Sequence, residues 1–181
     1  MTALFASGTA EFSACEVYRY WLTRELNGEV RDREGDRVLV SCGLNPSVAD
    51  AEKNDPTIRK DIGFAMRWGC GKLVKVNGYG YRSTDPNAMK RAGKSGIDIV
   101  GPDNDHWIGA AVRLVMLTDG IFMCNWGNHI EPARQRKISE IIEFAGMGRV
   151  VPMCLGTNNN GSPVHELYQP YERPLVPWVC P

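Results

Sequence analysis

The sequence predicts an α/β fold: three αβα layers around a central, mostly parallel sheet of about four strands, with an added N-terminal strand or hairpin. Short apolar runs alternate along the chain with stretches of helical spacing. This alternation is typical of a parallel sheet whose two faces are covered by helices. The chain has 181 residues without an internal repeat or a linker, so we expect a single domain over residues 1–181.

The elements follow in chain order. An aromatic, alternating run at 17–22 is the added strand, and we expect it to pair with a strand in the region before Asp36. The predicted parallel strands cover residues 37–42, 72–77, 120–124 and 149–155. The predicted helices cover residues 56–68, 86–93, 103–117 and 132–145. Asp55-Pro56 and Asp85-Pro86 support two of the helix starts, because Asp is a good N-cap and Pro suits the first helical position.

Charge and cysteine usage limit the classes of function. The 21 basic and 21 acidic residues balance, so the whole molecule does not attract nucleic acid. Nine Lys or Arg and two Asp lie between Ile58 and Gly96, which leaves open either a local basic face or a surface of scattered charges. Six cysteines without a C-x-x-C pair and three histidines without ligand spacing predict no metal site and no cofactor. We find no signal peptide and no long apolar run, and therefore expect a cytoplasmic protein without a membrane partner.

Polar or aromatic residues follow all four predicted parallel strands. In open parallel sheets, ligands bind beyond the carboxyl ends of the strands. The sequence therefore predicts a cleft at this edge, formed by segments 43–50, 77–82, 125–129 and 156–165.

Four residues are candidates for catalysis. The amide of Asn45 can hold a water molecule, and Asp50 or Asp55 can act as a general base. His165, in the last loop, can stabilise a developing anion or contact a phosphate. Three of them have a structural alternative: Asn45 can form a turn, Asp55 can cap a helix, and a lone histidine is often structural.

A second group of residues is expected to bind the substrate. Asn77 ends an apolar strand, where its amide can contact a base edge, although an Asn can also simply terminate a strand. The rings of Tyr79, Tyr81 and Trp126 can stack on a base, or can belong to the core. The other candidates are Gly43, Pro46, Ser47 and Arg82 for the substrate, and Thr57 and Arg59 for a phosphate at a helix N-terminus.

An ordered set of motifs extends from about Tyr18 to Trp178. They include L-N-P-S-x-A-D at 44–50, D-P-T-I-R at 55–59, V-N-x-x-x-Y-R-S-T-D-P at 76–86, W-G-N-H at 126–129 and G-x-P-x-H-x-L-Y at 161–168. This set resembles an uncharacterised bacterial and phage family, domain of unknown function 1643. The chain departs from the family pattern at 164–168, where V-H-E-L-Y replaces R-H-P-L-Y, and at 77–82, where N-G-Y-G-Y-R replaces N-L-F-A-Y-R.

A more distant resemblance implies an activity. Residues 43–47, G-L-N-P-S, are similar to the G-I-N-P-G motif of mismatch-specific uracil-DNA glycosylases, whose Asn places the attacking water, although Ser47 replaces the second glycine. Asn77 corresponds in order to their base-reading Asn, and the loop of His165 corresponds to their histidine motif. The resemblance implies a uracil-DNA-glycosylase-like fold and an enzyme that hydrolyses or otherwise acts on the N-glycosidic bond of a base, unmodified or modified, in DNA.

Two alternatives stay open. One is an enzyme on free nucleotides or modified bases in a phage DNA-modification pathway. The other is a non-catalytic module that binds nucleic acid or protein on the same fold. The expected partner is DNA or a nucleotide, and the oligomeric state is open.

Overall fold

A computed structural model describes residues 5–26 and 37–181. Its seven strands form one sheet in the order β1-β2-β4-β3-β5-β6-β7, accompanied by four helices. The strands are β1 (Phe5–Phe12), β2 (Arg19–Leu26), β3 (Val38–Gly43), β4 (Lys72–Asn77), β5 (Ile121–Cys124), β6 (Pro152–Cys154) and β7 (Val176–Pro177). The helices are α1 (Pro56–Arg67), α2 (Pro86–Lys94), α3 (Asn104–Leu117) and α4 (Pro132–Ala145). Within the described residues, no helix has the length and apolarity that a membrane span requires.

The four predicted parallel strands are confirmed as the centre of the sheet. Strands β4, β3, β5 and β6 are parallel neighbours, whereas β1, β2 and β7 are joined by antiparallel pairing. The expected count of about four strands plus an N-terminal strand or hairpin did not include β7. The sequence signal for β7 is weak because this strand has two residues in a proline-rich tail, and that for β1 is weak because its sequence, FASGTAEF, contains small residues and no Val or Ile.

The N-terminal strand differs in extent and in its partner. It begins at Arg19, ends at Leu26, and pairs with β1 on one side and with β4 on the other. We expected its partner in the region before Asp36, and β1 lies in that region; residues 27–36 lie outside the described residues.

The helix starts follow the predicted chemistry. Asp55 accepts a hydrogen bond from the backbone N of Ile58 at 2.9 Å, and Asp85 accepts one from Asn87 at 2.8 Å. Each aspartate is followed by a proline at the first helical position. The loops before α1 and α2 therefore end in rigid, capped turns.

Helices cover both faces of the sheet. Buried side chains of α2, α3 and α4 form one core with Val74 and Val76, while those of α1 form a second core with Leu73. Successive side chains of a strand point to opposite faces, so Lys75 and Asn77 lie on the face of α1. The side chains of Lys75 and Asn77 thus point toward α1, the helix that begins at the predicted cleft.

Candidate functional site

A cavity of about 530 Å³ lies beyond the carboxyl ends of the central strands. Its wall is formed by the ends of β3 and β4, the starts of α1 and α2, the loop after β5, and residues between 158 and 169. This volume falls in the range typical of small-molecule sites, about 300–1,000 Å³. The cavity therefore occupies the edge of the sheet at which the sequence predicted a cleft.

The loop at residues 44–55, which we call the site loop, is held in place by two buried arginines of β2. Arg19 donates to the carbonyl of Ala49 at 2.6 Å. Arg24 donates to the carbonyls of Asp50 at 2.6 Å and Lys53 at 3.2 Å. Hydrogen bonds from charged donors to buried carbonyls are strong, so the loop has a defined shape before any ligand binds.

Asn45 lines the cavity and uses its amide nitrogen within the protein. Nδ2 donates to the carbonyls of Ser83 at 2.7 Å and Pro46 at 3.0 Å. Its Oδ1 receives no hydrogen bond from any described residue. Asn45 thus joins the site loop to the segment after β4, and its carbonyl oxygen remains available to a water molecule or a ligand.

The two candidate carboxylates of the site loop have different environments. Asp55 lines the cavity; its Oδ1 caps α1, and no described residue donates to its Oδ2. Asp50 lies outside the cavity lining, and its Oδ1 accepts from the backbone N of Glu52 at 2.9 Å and of Lys53 at 2.8 Å. These two hydrogen bonds lower the pKa of Asp50. Only Asp55 is placed to act on a ligand, and Asp50 stabilises a turn.

Asn77 and Gly43 form part of the cavity floor. Asn77 is 1% exposed, and its Nδ2 has no hydrogen-bond partner among the described residues. A Cβ atom at Gly43 would lie 3.1 Å from Asn77 Oδ1 and from Lys75 Nζ. A buried amide without a partner is costly unless a ligand or water completes it. The lack of a side chain at Gly43 leaves room beside the amide oxygen of Asn77.

Beneath the floor lie three ionisable side chains, Asp61, Lys75 and Glu166, which we call the buried charge cluster. Lys75 Nζ is 2.9 Å from Asp61 Oδ2, 2.8 Å from Glu166 Oε1 and 2.8 Å from Ser41 Oγ. The side chains of both acids are 0% exposed. These contacts use all three hydrogens of the ammonium group. Lys75 lines the cavity but is fully engaged with the protein.

The buried charge cluster contains one cation and two carboxylates. Burial raises the pKa of Asp61 to about 7; Lys75 opposes this shift and Glu166 adds to it. Burial disfavours the charge of Lys75, but the two carboxylates outweigh this effect and raise its pKa. Since a buried excess charge is expensive, the cluster binds a proton near neutral pH.

His165 lies above the buried charge cluster, with 35% of its side chain exposed, and lines the cavity. Its Nδ1 is 3.2 Å from the backbone N of Leu167 and 3.1 Å from Glu166 Oε2. Burial, together with the nearby charge of Lys75, lowers the pKa of His165 to about 4. The imidazole is therefore neutral at pH 7, and Nε2 is the nitrogen left for a ligand.

The aromatic candidates do not present rings to the cavity. Tyr79 lies in the core and outside the lining, where its hydroxyl accepts from the backbone N of Glu131 at 3.1 Å. Tyr81 also lies outside the lining. Trp126 lines the cavity, but its side chain is fully buried. Instead Tyr168, which the sequence did not single out, lies in the lining and is 81% exposed.

The remaining candidates divide between the cavity and the surface around it. Ser47 and Thr57 line the cavity, and Pro46 does not. Arg59 lies outside the lining and donates to the carbonyl of Asn54, while Arg82 donates to the carbonyl of Glu16. The two arginines thus stabilise local backbone.

The sequence analysis did not identify three residues of the site, although the sequence contains a signal for each of them. Lys75 interrupts an otherwise apolar strand. Asp61 lies three residues after Ile58 and four before Ala65, on the buried face of α1. Glu166 stands where the family pattern has a proline. At Lys75 and Asp61, a charged residue occupies a position whose neighbours predict burial.

Comparison with known proteins places the chain in one family. Within the described residues, no group of three or more His, Cys, Asp or Glu side chains could hold a metal ion. No curated protein and no solved structure matches the chain, so the uracil-DNA-glycosylase-like fold stays a prediction. One family model matches residues 19–167, a stretch that includes β2 to β6, all four helices and most of the cavity lining. The chain therefore belongs to the family described as "Protein of unknown function (DUF1643)".

Proposed function

We propose that this protein is an enzyme that hydrolyses or otherwise processes the N-glycosidic bond of a nucleobase in DNA. The observation that supports this proposal is that Asn45 and Asp55 of the site loop, Asn77 of β4 and His165 of the loop after β6 line one cavity. Asn45 and Asp55 each have an oxygen without a donor among the described residues, and Asn77 has an amide nitrogen without a partner. Such groups match a reaction that needs a held water molecule and a recognised base.

The chemistry follows from these free atoms. A water molecule held by Asn45 Oδ1 and Asp55 Oδ2 attacks C1′ of the sugar, and Asp55 accepts its proton as a general base. The bond between C1′ and the base nitrogen breaks, and its electron pair leaves with the base. Asn77 contacts the edge of the base, while the neutral His165 donates a hydrogen bond to the developing anion. The exposed ring of Tyr168 offers a stacking surface at the rim.

Arg19 supports a substrate that carries phosphate. It lines the cavity, is 2% exposed, and its Nε has no hydrogen-bond partner among the described residues. Burial lowers the pKa of Arg19 to about 10, so the group is still a cation at pH 7. Thr57, in the first turn of α1, lines the same cavity, and backbone N–H groups at a helix start favour anions. A nucleotide suits this wall better than an uncharged nucleoside.

One observation favours free nucleotides as the second candidate substrate. Most of the basic side chains between Ile58 and Gly96 contact other side chains or backbone groups of the protein. This segment therefore does not favour a continuous basic face. Lys60 and Arg67 lie over the ring of Tyr171, at 3.7 and 4.1 Å from its centroid. Five further basic side chains form hydrogen bonds or ion pairs with other residues: Arg59, Lys72, Lys75, Arg82 and Arg91. A free nucleotide needs only the cavity, whereas DNA gains affinity from such a face.

Release of free base tests the proposal. Single- and double-stranded oligonucleotides that carry uracil, mispairs and modified pyrimidines are incubated with the protein, and the released base is separated by chromatography. Asp55→Asn retains a good helix cap but removes the base, and we expect a loss of about 10²–10⁴-fold. Asp50→Asn is the matched control in the same loop, and we expect activity close to that of the wild type.

The outcome separates the two substrates. If a folded protein releases no base from any oligonucleotide, the DNA version of the proposal is wrong. Release from free nucleotides under the same conditions would then support the second candidate. Equal activity of the Asp55→Asn and wild-type proteins would exclude Asp55 as the general base.

A further inference from the structure

A second cavity borders the candidate site. It has a volume of about 490 Å³, and its lining consists of Asn128, Thr157, Asn158, Asn159 and Asn160. Asn128 and Asn158 also line the cavity of the candidate site, so the two cavities share a wall. The volume falls within the range of about 300–1,000 Å³ that is typical of ligand sites. We call this second cavity the amide pocket, because all but one of its lining residues are asparagines.

The turn after β6, which forms most of the amide pocket, has a defined shape. Asn158 Nδ2 donates to the carbonyls of Ser162 at 3.1 Å and Pro163 at 3.2 Å. Gly161 has a φ of +77°, a conformation that favours glycine, and its carbonyl accepts from the indole of the buried Trp178 at 3.1 Å. Because the turn is shaped before a ligand binds, less conformational entropy is lost on binding.

Polar atoms of the amide pocket are available to a ligand. The side chains of Asn128, Thr157 and Asn159 are exposed and make no hydrogen bond with any described residue. Asn160 accepts through Oδ1 from the backbone N of Ser162 at 3.1 Å, and no described residue accepts from its Nδ2. Each free amide carries two donor hydrogens and an acceptor oxygen side by side. The amide pocket therefore offers donors and acceptors together.

The composition of the amide pocket selects the class of ligand. Among the described residues, no charged or aromatic side chain lines it. A phosphate would find no cation there, and a metal ion would find no carboxylate. The edge of a nucleobase and the oxygens of a sugar are uncharged donors and acceptors, and asparagine amides form hydrogen bonds with such edges. The amide pocket thus suits the sugar and base of a nucleotide.

The position of the amide pocket shows which nucleotide this is. In the sheet, β2 lies on one side of the β4–β3 pair, and β5 and β6 lie on the other side. Arg19, which supports phosphate binding, belongs to β2, whereas the amide pocket is formed by residues that follow β5 and β6. A mononucleotide with its base at Asn77 and its phosphate near Arg19 leaves the amide pocket empty. A longer strand can occupy both cavities.

We propose that the amide pocket is a second subsite, which binds the sugar and base of the nucleotide next to the target in the same strand. The substrate is then a chain of at least two nucleotides, and a free nucleotide uses only part of the site. This inference deepens the proposed function and rests on its nucleotide substrate, but not on its reaction.

Binding of short nucleotides tests the subsite without any need for base release. The probes are the 5′-monophosphates of the common deoxynucleosides and of deoxyuridine, and single-stranded dinucleotides in which each carries a thymidine neighbour on its 3′ or its 5′ side. NMR titration of ¹⁵N-labelled asparagine side chains gives Kd, and Asn159→Ala identifies the signal of Asn159. We expect a dinucleotide to bind at least about tenfold more tightly than its mononucleotide, as one or two added hydrogen bonds would provide, and to shift this signal.

A double variant assigns the preference to the amide pocket. Thr157→Val with Asn159→Ala removes polar atoms that line this pocket and not the cavity of the candidate site. We expect the ratio of the mononucleotide Kd to the dinucleotide Kd to fall to about twofold or less. Asn87→Ala is the matched control, because Asn87 is an exposed asparagine outside both cavities, and the ratio should stay that of the wild type.

Three results would overturn the inference: equal Kd values for every mononucleotide and its dinucleotides, a dinucleotide preference that persists in the double variant, or no binding of any probe. The wild-type titration alone can give the first and the third, so the test survives if the double variant fails to fold. Equal Kd values together with base release from mononucleotides would leave the proposed reaction intact. The expected preference without base release from any substrate would support the inference and contradict the proposed reaction.

Discussion

Replacement of Lys75 by Met tests the buried charge cluster, because it keeps a long unbranched side chain and removes the ammonium group. Lys75 Nζ donates to Asp61 at 2.9 Å, to Glu166 at 2.8 Å and to Ser41 at 2.8 Å. Without it, two carboxylates with fully buried side chains face each other with no cation between them.

The size of the effect follows from that geometry. Removal of one partner of a buried ion pair costs about 3–5 kcal/mol, and here one cation serves two acids, so we expect about 4–5 kcal/mol at pH 8. The loss depends on pH. Without Lys75, the pKa of Asp61 lies still further above its unfolded value, so the folded variant binds more protons than the unfolded chain. The stability of both proteins rises as the pH falls, but the variant, with two unpaired carboxylates, takes up one proton more than the wild type. At pH 5 we therefore expect the loss to approach about 1–2 kcal/mol.

Urea denaturation at pH 8 and pH 5 measures both quantities. Lys72→Met is the matched control, because Lys72 lies on the same strand and pairs with Glu25 at 2.6 Å while both side chains are about a third or more exposed. We expect this control to cost less than about 1 kcal/mol, with little dependence on pH. A Lys75→Met protein that loses no more stability than Lys72→Met at pH 8 would refute the reasoning. So would an equal loss at both pH values.

Two further predictions concern the cavity itself. Gly43→Ala adds a Cβ atom 3.1 Å from Asn77 Oδ1 and Lys75 Nζ. This crowding should lower the free energy of unfolding, measured by urea denaturation, by about 1–3 kcal/mol. An unchanged midpoint would show that the cavity floor can relax around the added atom. For His165, the folded pKa of about 4 lies below the unfolded value of about 6.5, so the unfolded chain binds the proton first as the pH falls. Wild-type stability should therefore fall relative to His165→Gln between about pH 6.5 and 4. The full pKa shift of His165 corresponds to about 3 kcal/mol of stability, and solvent at the exposed third of the side chain reduces this to about 1–2 kcal/mol. If the difference in stability between wild type and His165→Gln stays constant from pH 6.5 to pH 4, the lowered pKa is contradicted.

The centre of the fold and the position of the cavity follow from local patterns. The strands at β3 and β4 and the caps at Asp55 and Asp85 depend on neighbours within a few residues, and these the sequence displays directly. Residues that directly follow parallel strands meet at one edge of the sheet, whatever the details of packing. For this reason the sequence predicts Asn45 and Asn77, at the ends of β3 and β4, in the lining of one cavity.

The chemistry beneath the cavity depends on contacts between distant segments. Lys75 and Glu166 are 91 residues apart, and no local pattern reveals that they meet. The tyrosines present a similar problem. Alternation assigns Tyr79 and Tyr81 to one side of an extended segment, but the chain after β4 runs beside the site loop and carries both away from the cavity. Tertiary packing decides which side chain reaches the ligand.

The two arginines of β2 also set an order of events during folding. The site loop depends on Arg19 and Arg24, and β2 joins the sheet by antiparallel pairing in which Leu22 lies opposite Lys75. The parallel pairing of β3 with β4 needs no residue of β2. We therefore expect the central strands to assemble first and the site loop to become ordered when β2 docks. Refolding followed at the cavity should lag behind refolding followed at the central core, and docking of β2 would be the last step toward a competent site.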